Sequence, residues 1–234
     1  MQTGLYVSLS AQLALEKRLT TIADNVANAG TVGYRATEVK FEDLVSGVGT
    51  DSTSFVSAGK TYLSTEAGPL RQTGGAFDFA IQGDAWFSIQ TPAGNVLTRD
   101  GRFTMLETGD LVTLEGHPVL DPGGAPIQLD PQGGEPVAGK DGMLRQNGDQ
   151  VAAIGLFSYT PGKEFMRYGN SGVIPAAPPE ALVDRTDIGV VQGFVEDSNV
   201  NPVEEMTRLI MVQRAFERAS ALARESGEAL DMTV

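Results

Sequence analysis

Leu15-Glu16-Lys17-Arg18-Leu19-Thr20-Thr21-Ile22-Ala23-Asp24-Asn25-Val26 sets Leu15, Leu19, Ile22 and Val26 at alternating steps of four and three. That is the period of a helix burying one narrow seam. Leu5 and Leu9 carry the stripe back toward the start of the chain. The far end repeats the pattern, with Met206, Leu209, Gln213, Phe216, Ser220 and Ala223 on the same steps. Neither stripe is wide enough to fold alone, so the two terminal helices must pair with each other, with other copies of the chain, or with both. The expected fold is α+β: N- and C-terminal helices paired as a coiled coil, an extended connector, and a central antiparallel β-domain. Such an arrangement points toward a polymer.

The first helix is expected from about Gly4 to Asn28, ending at Gly30, a residue type that tolerates the left-handed conformation past a helix C-terminus. At 1.5 Å per residue it spans roughly 35–40 Å. Its only charged residues are Glu16, Lys17, Arg18 and Asp24. A helix permanently wetted on its outer face usually carries more charge, so packing between subunits is favoured over a helix docked within a monomer. The last helix has a sharper start. Asn201 can cap it, Pro202 suits the first helical position, and Glu204 stands at capping-box spacing, which predicts a helix from Pro202 to about Leu230.

Between the ends, residues 31–70 are broken by Gly33, Gly47, Gly49, Gly59 and Gly68, and read as an extended connector with short strands. From Phe77 to about Val173, glycines at 94, 101, 109, 116 and 123 punctuate alternating apolar and polar runs. Asp100-Gly101 is a hairpin signal, and Glu115-Gly116, Asp141-Gly142 and Asn147-Gly148 mark further turns. Trp86, Phe87, Phe103, Ile127, Leu129, Ile154, Leu156 and Phe157 are the expected core. The implied division is 1–30 with 201–234 for the helices, 31–75 with 184–200 for the connector, and 76–183 for the β-domain.

Composition excludes several classes of function. A net charge of -13 repels phosphate backbones and anionic lipid, which argues against nucleic acid and membrane surfaces as partners. Without cysteine there is no disulfide or thiol chemistry, and a single histidine, His117, removes the usual multi-histidine metal sites. His117 lies in a turn with no Gly-x-Ser-x-Gly motif beside it, and Asp78, Asp84, Asp100, Asp110 and Asp121 sit beside or near turn glycines, where Asp serves the backbone. Gly123-Gly124 and Gly133-Gly134 lack the acidic spacing of calcium-binding repeats. Gly47-Val48-Gly49 lacks the later glycine and following helix of a dinucleotide loop. Neither a catalytic residue nor a cofactor is expected. The first residues lack a basic region followed by an apolar run, so no cleaved signal and no membrane span is expected.

Four stretches carry a resemblance. Residues 21–35, Thr21-Ile22-Ala23-Asp24-Asn25-Val26-Ala27-Asn28-Ala29-Gly30-Thr31-Val32-Gly33-Tyr34-Arg35, resemble the N-terminal signature of bacterial flagellar rod and hook proteins. Residues 195–206, Val195-Glu196-Asp197-Ser198-Asn199-Val200-Asn201-Pro202-Val203-Glu204-Glu205-Met206, resemble its C-terminal counterpart. Residues 78–87 and 97–104 are similar to the start of the family's β-domain. The sequence departs at Gly30, where the family commonly has Asn, and at Gly172-Val173, where an aromatic often follows the glycine. Within the family the length resembles a rod protein rather than the longer hook protein, and the opening a proximal rather than a distal rod member.

The resemblance implies a structural subunit of the rod, the drive shaft of the flagellum, with its helices inward and its β-domain outward. Leu15, Leu19, Ile22, Asn25, Val26, Asn28, Gly33, Asn199, Asn201, Glu205, Met206, Leu209, Gln213 and Phe216 would then form the assembly interface. Other rod subunits would be the partners, whether or not copies of the same chain are among them. The family's subunits leave through the flagellar type III export apparatus, and Phe41 and Val45 in Phe41-Glu42-Asp43-Leu44-Val45 resemble the aromatic-and-hydrophobic element presented to its gate. The same spacing is common in core strands. The rival expectation is a secreted β-domain hydrolase or binding module with helical ends, which would require a convergent polar cluster.

Overall fold

The computed structural model describes residues 2–40, 43–46, 53–56, 59–159, 165–183 and 185–231. These divide into two compact units. One is drawn from Met1–Ala29, Ala36–Ser64 and Val200–Val234, the other from Gly30–Arg35 and Thr65–Asn199.

The first unit holds α1 (Gln2–Ala27), β1 (Thr37–Lys40), β2 (Asp43–Ser46), β3 (Thr53–Val56) and β4 (Lys60–Leu63), and it also takes the C-terminal helix, Pro202–Asp231. The two helices pack together and run antiparallel, since Gln12 Nε2 donates to Ser220 Oγ at 3.3 Å while Asn25 Nδ2 lies 3.5 Å from Glu205 Oε2. Ala14, Thr21, Ile22 and Asn25 form the buried face of α1, and Glu205 and Val212 that of its partner helix. Residues 36–64, within the stretch expected as an extended connector with short strands, form two antiparallel strand pairs where described, β1 on β4 and β2 on β3.

Helix ends follow the sequence closely at one terminus and less so at the other. Asn201 Oδ1 accepts from the Val203 and Glu204 amides at 3.2 and 3.4 Å, so the expected cap is present and Pro202 is the first helical residue. Glu204 accepts instead from Arg208 one turn on. At the end of α1 the expected stop at Gly30 is corrected. Gly30 has an ordinary φ and open space around it, and the left-handed residue is Gly33, with φ +71°. The helix closes earlier, where Asn28 returns both its amide N–H and its side-chain Nδ2 to the Asp24 carbonyl.

The second unit contains β5 (Leu70–Gln72), β6 (Phe79–Gln82), β7 (Trp86–Thr91), β8 (Gly94–Thr98), β9 (Phe103–Met105), β10 (Leu111–Thr113), β11 (Val137–Ala138), β12 (Met143–Gln146), β13 (Asp149–Ala153), β14 (Leu156–Phe157), β15 (Met166–Tyr168), β16 (Gly172–Ile174), β17 (Gly189–Gln192) and β18 (Phe194–Glu196). The C-terminal helix of the first unit is α2. A five-stranded sheet in the order β14-β7-β8-β16-β15 is its largest element, and every ladder described is antiparallel. Smaller pairings are β5 with β18, β6 with β17, β9 with β10, and β11-β12-β13.

β7 is buried on both faces over Trp86–Ile89, and both its edges are paired, one with β8 and the other with β14 and, through an Ile89–Val119 bridge, with the meander. All eight expected core residues are buried, and Phe87, Phe103, Ile127, Leu129, Ile154 and Leu156 share one cluster with Phe79, Val96, Leu111 and Leu144. Asn147 (φ 53°) and Gly148 (φ 93°) close the β12–β13 hairpin in the type I′ geometry their sequence suggests. Asp100-Gly101 does not. β8 and β9 pair with different strands, and Gly101 has no left-handed φ. It is glycine because a Cβ there would stand 1.8 Å from the Phe79 carbonyl oxygen.

Candidate assembly surface and a buried ion triad

In the helical unit, the polar residues singled out in the sequence act at the ends of helices. Asn25 behaves as one residue of a β-ladder: its Nδ2 donates to the Thr37 carbonyl and its Oδ1 accepts from the Thr37 amide, both at 2.9 Å. The amide side chain thereby fastens the last turn of α1 to the start of β1. Glu205, 7% exposed, receives Arg208 Nη1 at 2.6 Å. Lys17 Nζ caps the Gly59 carbonyl at 2.7 Å.

The apolar stripes divide differently from the expected seam. Ile22 is buried, and Leu15, Leu19, Val26, Leu209 and Phe216 are half-buried along the contact between the helices. Met206 and Gln213 are exposed. The inward line of α2 passes through Glu205, Leu209, Val212 and Phe216: it keeps Leu209 and Phe216 of the line that the sequence suggested and replaces Met206 and Gln213 by the residues one position earlier. Met206 instead belongs to a second stripe with Val203 and Ile210, at steps of three and four, and all three are more than half exposed, as are Met211 and Leu222. On α1, Leu9 and Leu13 are exposed one turn apart. A soluble helix seldom leaves a helical-period apolar stripe in water unless another surface covers it.

The second unit holds the remaining expected residues. Gly33 donates its amide to the Glu196 carbonyl at 2.7 Å, and a Cβ on it would meet the Asp100 amide nitrogen at 2.2 Å. Asn199 donates its side chain to the Glu66 carbonyl at 2.9 Å and its amide to the Tyr34 carbonyl at 3.3 Å. Of the expected export element, Phe41 lies outside the described residues and Val45 is placed only as a backbone position in β2.

The same unit contains a cluster that sequence reading missed. Glu196, 1% exposed, accepts from Arg35 Nη2 at 2.8 Å and the Gly68 amide at 3.0 Å on one oxygen, and from Arg99 Nε at 2.7 Å on the other. Both guanidinium groups stand 5.9 Å from the Trp86 ring centre. Arg99 also donates to the carbonyls of Gly83 and Ala85, and Arg35 to those of Thr65 and Glu66. Burial, reinforced by the charge of Arg99 and opposed by Glu196, brings the Arg35 guanidinium down to about 10. Burial lowers Arg99 too, against the raising pull of Glu196. Both remain cations at neutral pH. Each member lies in a stretch quoted above for its resemblance, but nothing local signals that residues 35, 99 and 196 meet.

None of this is arranged for chemistry. His117 pairs with Glu115 at 3.7 Å and edges onto Tyr168, Asp100 holds Arg102, and Asp121 accepts from the Ala125 amide at 2.8 Å. Among the described residues no group of three or more His, Cys, Asp or Glu side chains is placed to hold a metal ion, and no helix is long and apolar enough to cross a membrane.

What the two units define is a structural protein, with a rigid β-core and terminal helices that carry uncovered apolar stripes. Comparison with known proteins names the family. Residues 5–35 match the model described as flagella basal body rod protein, 80–146 that of the flagellar hook protein FlgE/F/G D1 domain, and 191–233 that of the flagellar basal body rod FlgEFG protein C-terminal. The chain is 66% identical over 234 residues to the flagellar basal-body rod protein FlgF of Mesorhizobium japonicum, covering 100% of this chain and 97% of that one. It is 58% identical to FlgF of Rhizobium meliloti, again over 100% and 97% of the two chains. Against the flagellar basal-body rod protein FlgG of Bacillus subtilis the identity is 30%, over 100% and 98%. The chain belongs to the flagellar basal-body rod protein family.

Proposed function

We infer that the chain is a structural subunit of the bacterial flagellar basal-body rod and not an enzyme. The observation that carries this is the second apolar stripe of α2, Val203, Met206 and Ile210, left exposed beside a helix pair in a chain related over its whole length to rod proteins. The terminal helices pair as a coiled coil lining a tube, residues 31–75 and 184–200 fill its wall, and the β-domain, 76–183, faces outward. Head-to-tail contacts between unlike surfaces do not close on themselves, so they extend into a helical shaft able to carry torque to the hook.

Leu15, Leu19, Val26, Met206, Leu209, Gln213 and Phe216 supply contact surface. Ile22 packs within the helix pair, Asn25, Asn28, Asn201 and Glu205 fix the ends of the helices, and Gly33 and Asn199 join residues 33–35 to 196–199. Other rod and hook components are the partners, in the periplasmic part of the basal body. The higher identity to FlgF relatives than to FlgG favours the proximal rod.

Export through the flagellar type III apparatus, with Phe41 and Val45 at its gate, completes the reading. Phe41→Ala with Val45→Ala should leave the subunit in the cytoplasm even in a strain whose rod assembly is blocked downstream. Export at the wild-type level would exclude the gate element and leave the rod assignment standing. The rod assignment itself is tested by electron microscopy of isolated basal bodies carrying a tag in the β-domain. Label along the rod is expected, and basal bodies that assemble without any label would overturn it.

A further inference from the structure

We propose that the Arg35–Glu196–Arg99 triad is a registration lock, which holds the two segments through which the chain enters and leaves the β-unit in one fixed alignment. Residues 33–35 and 196–199 lie side by side, joined by Gly33 N–H to Glu196 O at 2.7 Å and Asn199 N–H to Tyr34 O at 3.3 Å. β18 is also seated on β5, and Asp197 N–H donates to the Pro69 carbonyl at 2.9 Å.

The triad adds directional bonds that tie both segments to three others. Arg35 reaches the carbonyls of Thr65 and Glu66, Glu196 takes the Gly68 amide, and Arg99 grips Gly83 and Ala85. Glycines line the crossing where backbones touch. A Cβ on Gly68 would come within 1.9 Å of the Asp197 carbonyl oxygen, and one on Gly33 within 2.5 Å of the Arg99 carbonyl carbon. Any shift of one segment therefore collides with another.

A buried triad of two cations and one anion is a poor source of stability, because desolvating three charges offsets their attraction. Apolar side chains would fill the space as well. What charged groups add is direction: a carboxylate accepting on both oxygens, and planar guanidinium forks that reach several acceptors at once, even though Arg35 Nε itself is buried with no acceptor. The lock lies entirely within the β-unit and so does not depend on the rod reading.

The test is amide exchange on the full-length chain. In Arg35→Met/Glu196→Leu/Arg99→Met, the amides of β7 and β8 should keep wild-type protection while those of Gly33, Asp197 and Asn199 exchange at least about tenfold faster. Should the triple variant fail to fold, Arg99→Lys keeps the charge but loses the fork, and should speed the same amides by about threefold with the β7–β8 core unmoved. Unchanged exchange at Gly33, Asp197 and Asn199 overturns the proposal, as does uniform acceleration of core and crossing together. Swimming reports separately: cells that stop swimming while exchange is unchanged would overturn the lock and leave the rod assignment intact.

Discussion

Gly30, Gly33 and Gly101 look alike in the sequence, and the structure asks something different of each. Gly33 combines a left-handed φ with backbone packed against it, Gly101 has ordinary φ but touches the Phe79 carbonyl, and Gly30 meets neither demand. Alanine should therefore separate them in urea unfolding of the β-unit. Gly101→Ala should lose about 2–3 kcal/mol or more, as forced overpacking does, and Gly33→Ala a similar amount from strain and collision together. Gly30→Ala should change stability by less than about 0.5 kcal/mol. A large loss at Gly30 would contradict the placement of the left-handed residue. His117→Ala, Asp100→Ala and Asp121→Ala should each cost about 1 kcal/mol or less, the scale of a turn hydrogen bond, with motility largely kept. Hydrolytic turnover by the purified protein, abolished by one of these changes, would revive the enzyme alternative.

At the scale of the element, α2 carries two apolar lines, and they make opposite predictions. Val212 is buried against α1, so Val212→Asp places an uncompensated charge inside the helical unit and should cost several kcal/mol of its stability. Met206→Asp and Ile210→Asp sit on the exposed line, so they should leave thermal unfolding of the isolated protein nearly unchanged while abolishing swimming. Normal swimming by both would show that this stripe is not an assembly surface. The existence of both helices, the Asn201 cap and the Asn147-Gly148 hairpin were legible because each rests on a local signal: period, cap chemistry or turn chemistry. The phase of α2 was legible at Leu209 and Phe216 but not at Met206 and Gln213, whose places Glu205 and Val212 take, because a buried Glu205 gives no apolar signal and only the antiparallel partner decides which side of the line faces inward. The Arg35–Glu196–Arg99 triad was illegible for a stronger reason. Charged residues at 35, 99 and 196 read as solvated surface until tertiary structure brings them together. Asp100-Gly101 misled because a turn dipeptide and a glycine needed for close backbone approach are written identically.

Across the whole molecule, apolar burial is uneven. The β-unit encloses Phe79, Phe87, Phe103, Leu111, Leu144 and Ile154 in one cluster, whereas the described helix faces bury only Ala14, Ile22 and Val212 among hydrophobic residues. Ordering a residue costs about 1–2 kcal/mol of backbone entropy, and helices sustained mainly by tertiary packing are marginal when that packing is thin. The helical unit is fastened at one end where Asn25 joins Thr37 and Asn201 caps α2, and toward its other end Gln12 bonds Ser220. Protection should therefore fall along the helices. In a monomer verified by sedimentation, amides of α1 before about residue 14 and of α2 beyond about residue 214 should exchange quickly. Those near Asn25 and Glu205 should be intermediate, and the β7–β8 core slowest. Assembly should slow the helix ends, since burying Leu9, Leu13, Met206 and Ile210 between subunits contributes about 25 cal/mol for each Å² of apolar surface removed from water. Comparing the same amides in monomer and in purified rods decides the matter. Full protection of both helix ends in the monomer would mean that they fold without partners, and that assembly joins finished surfaces instead of completing unfinished ones.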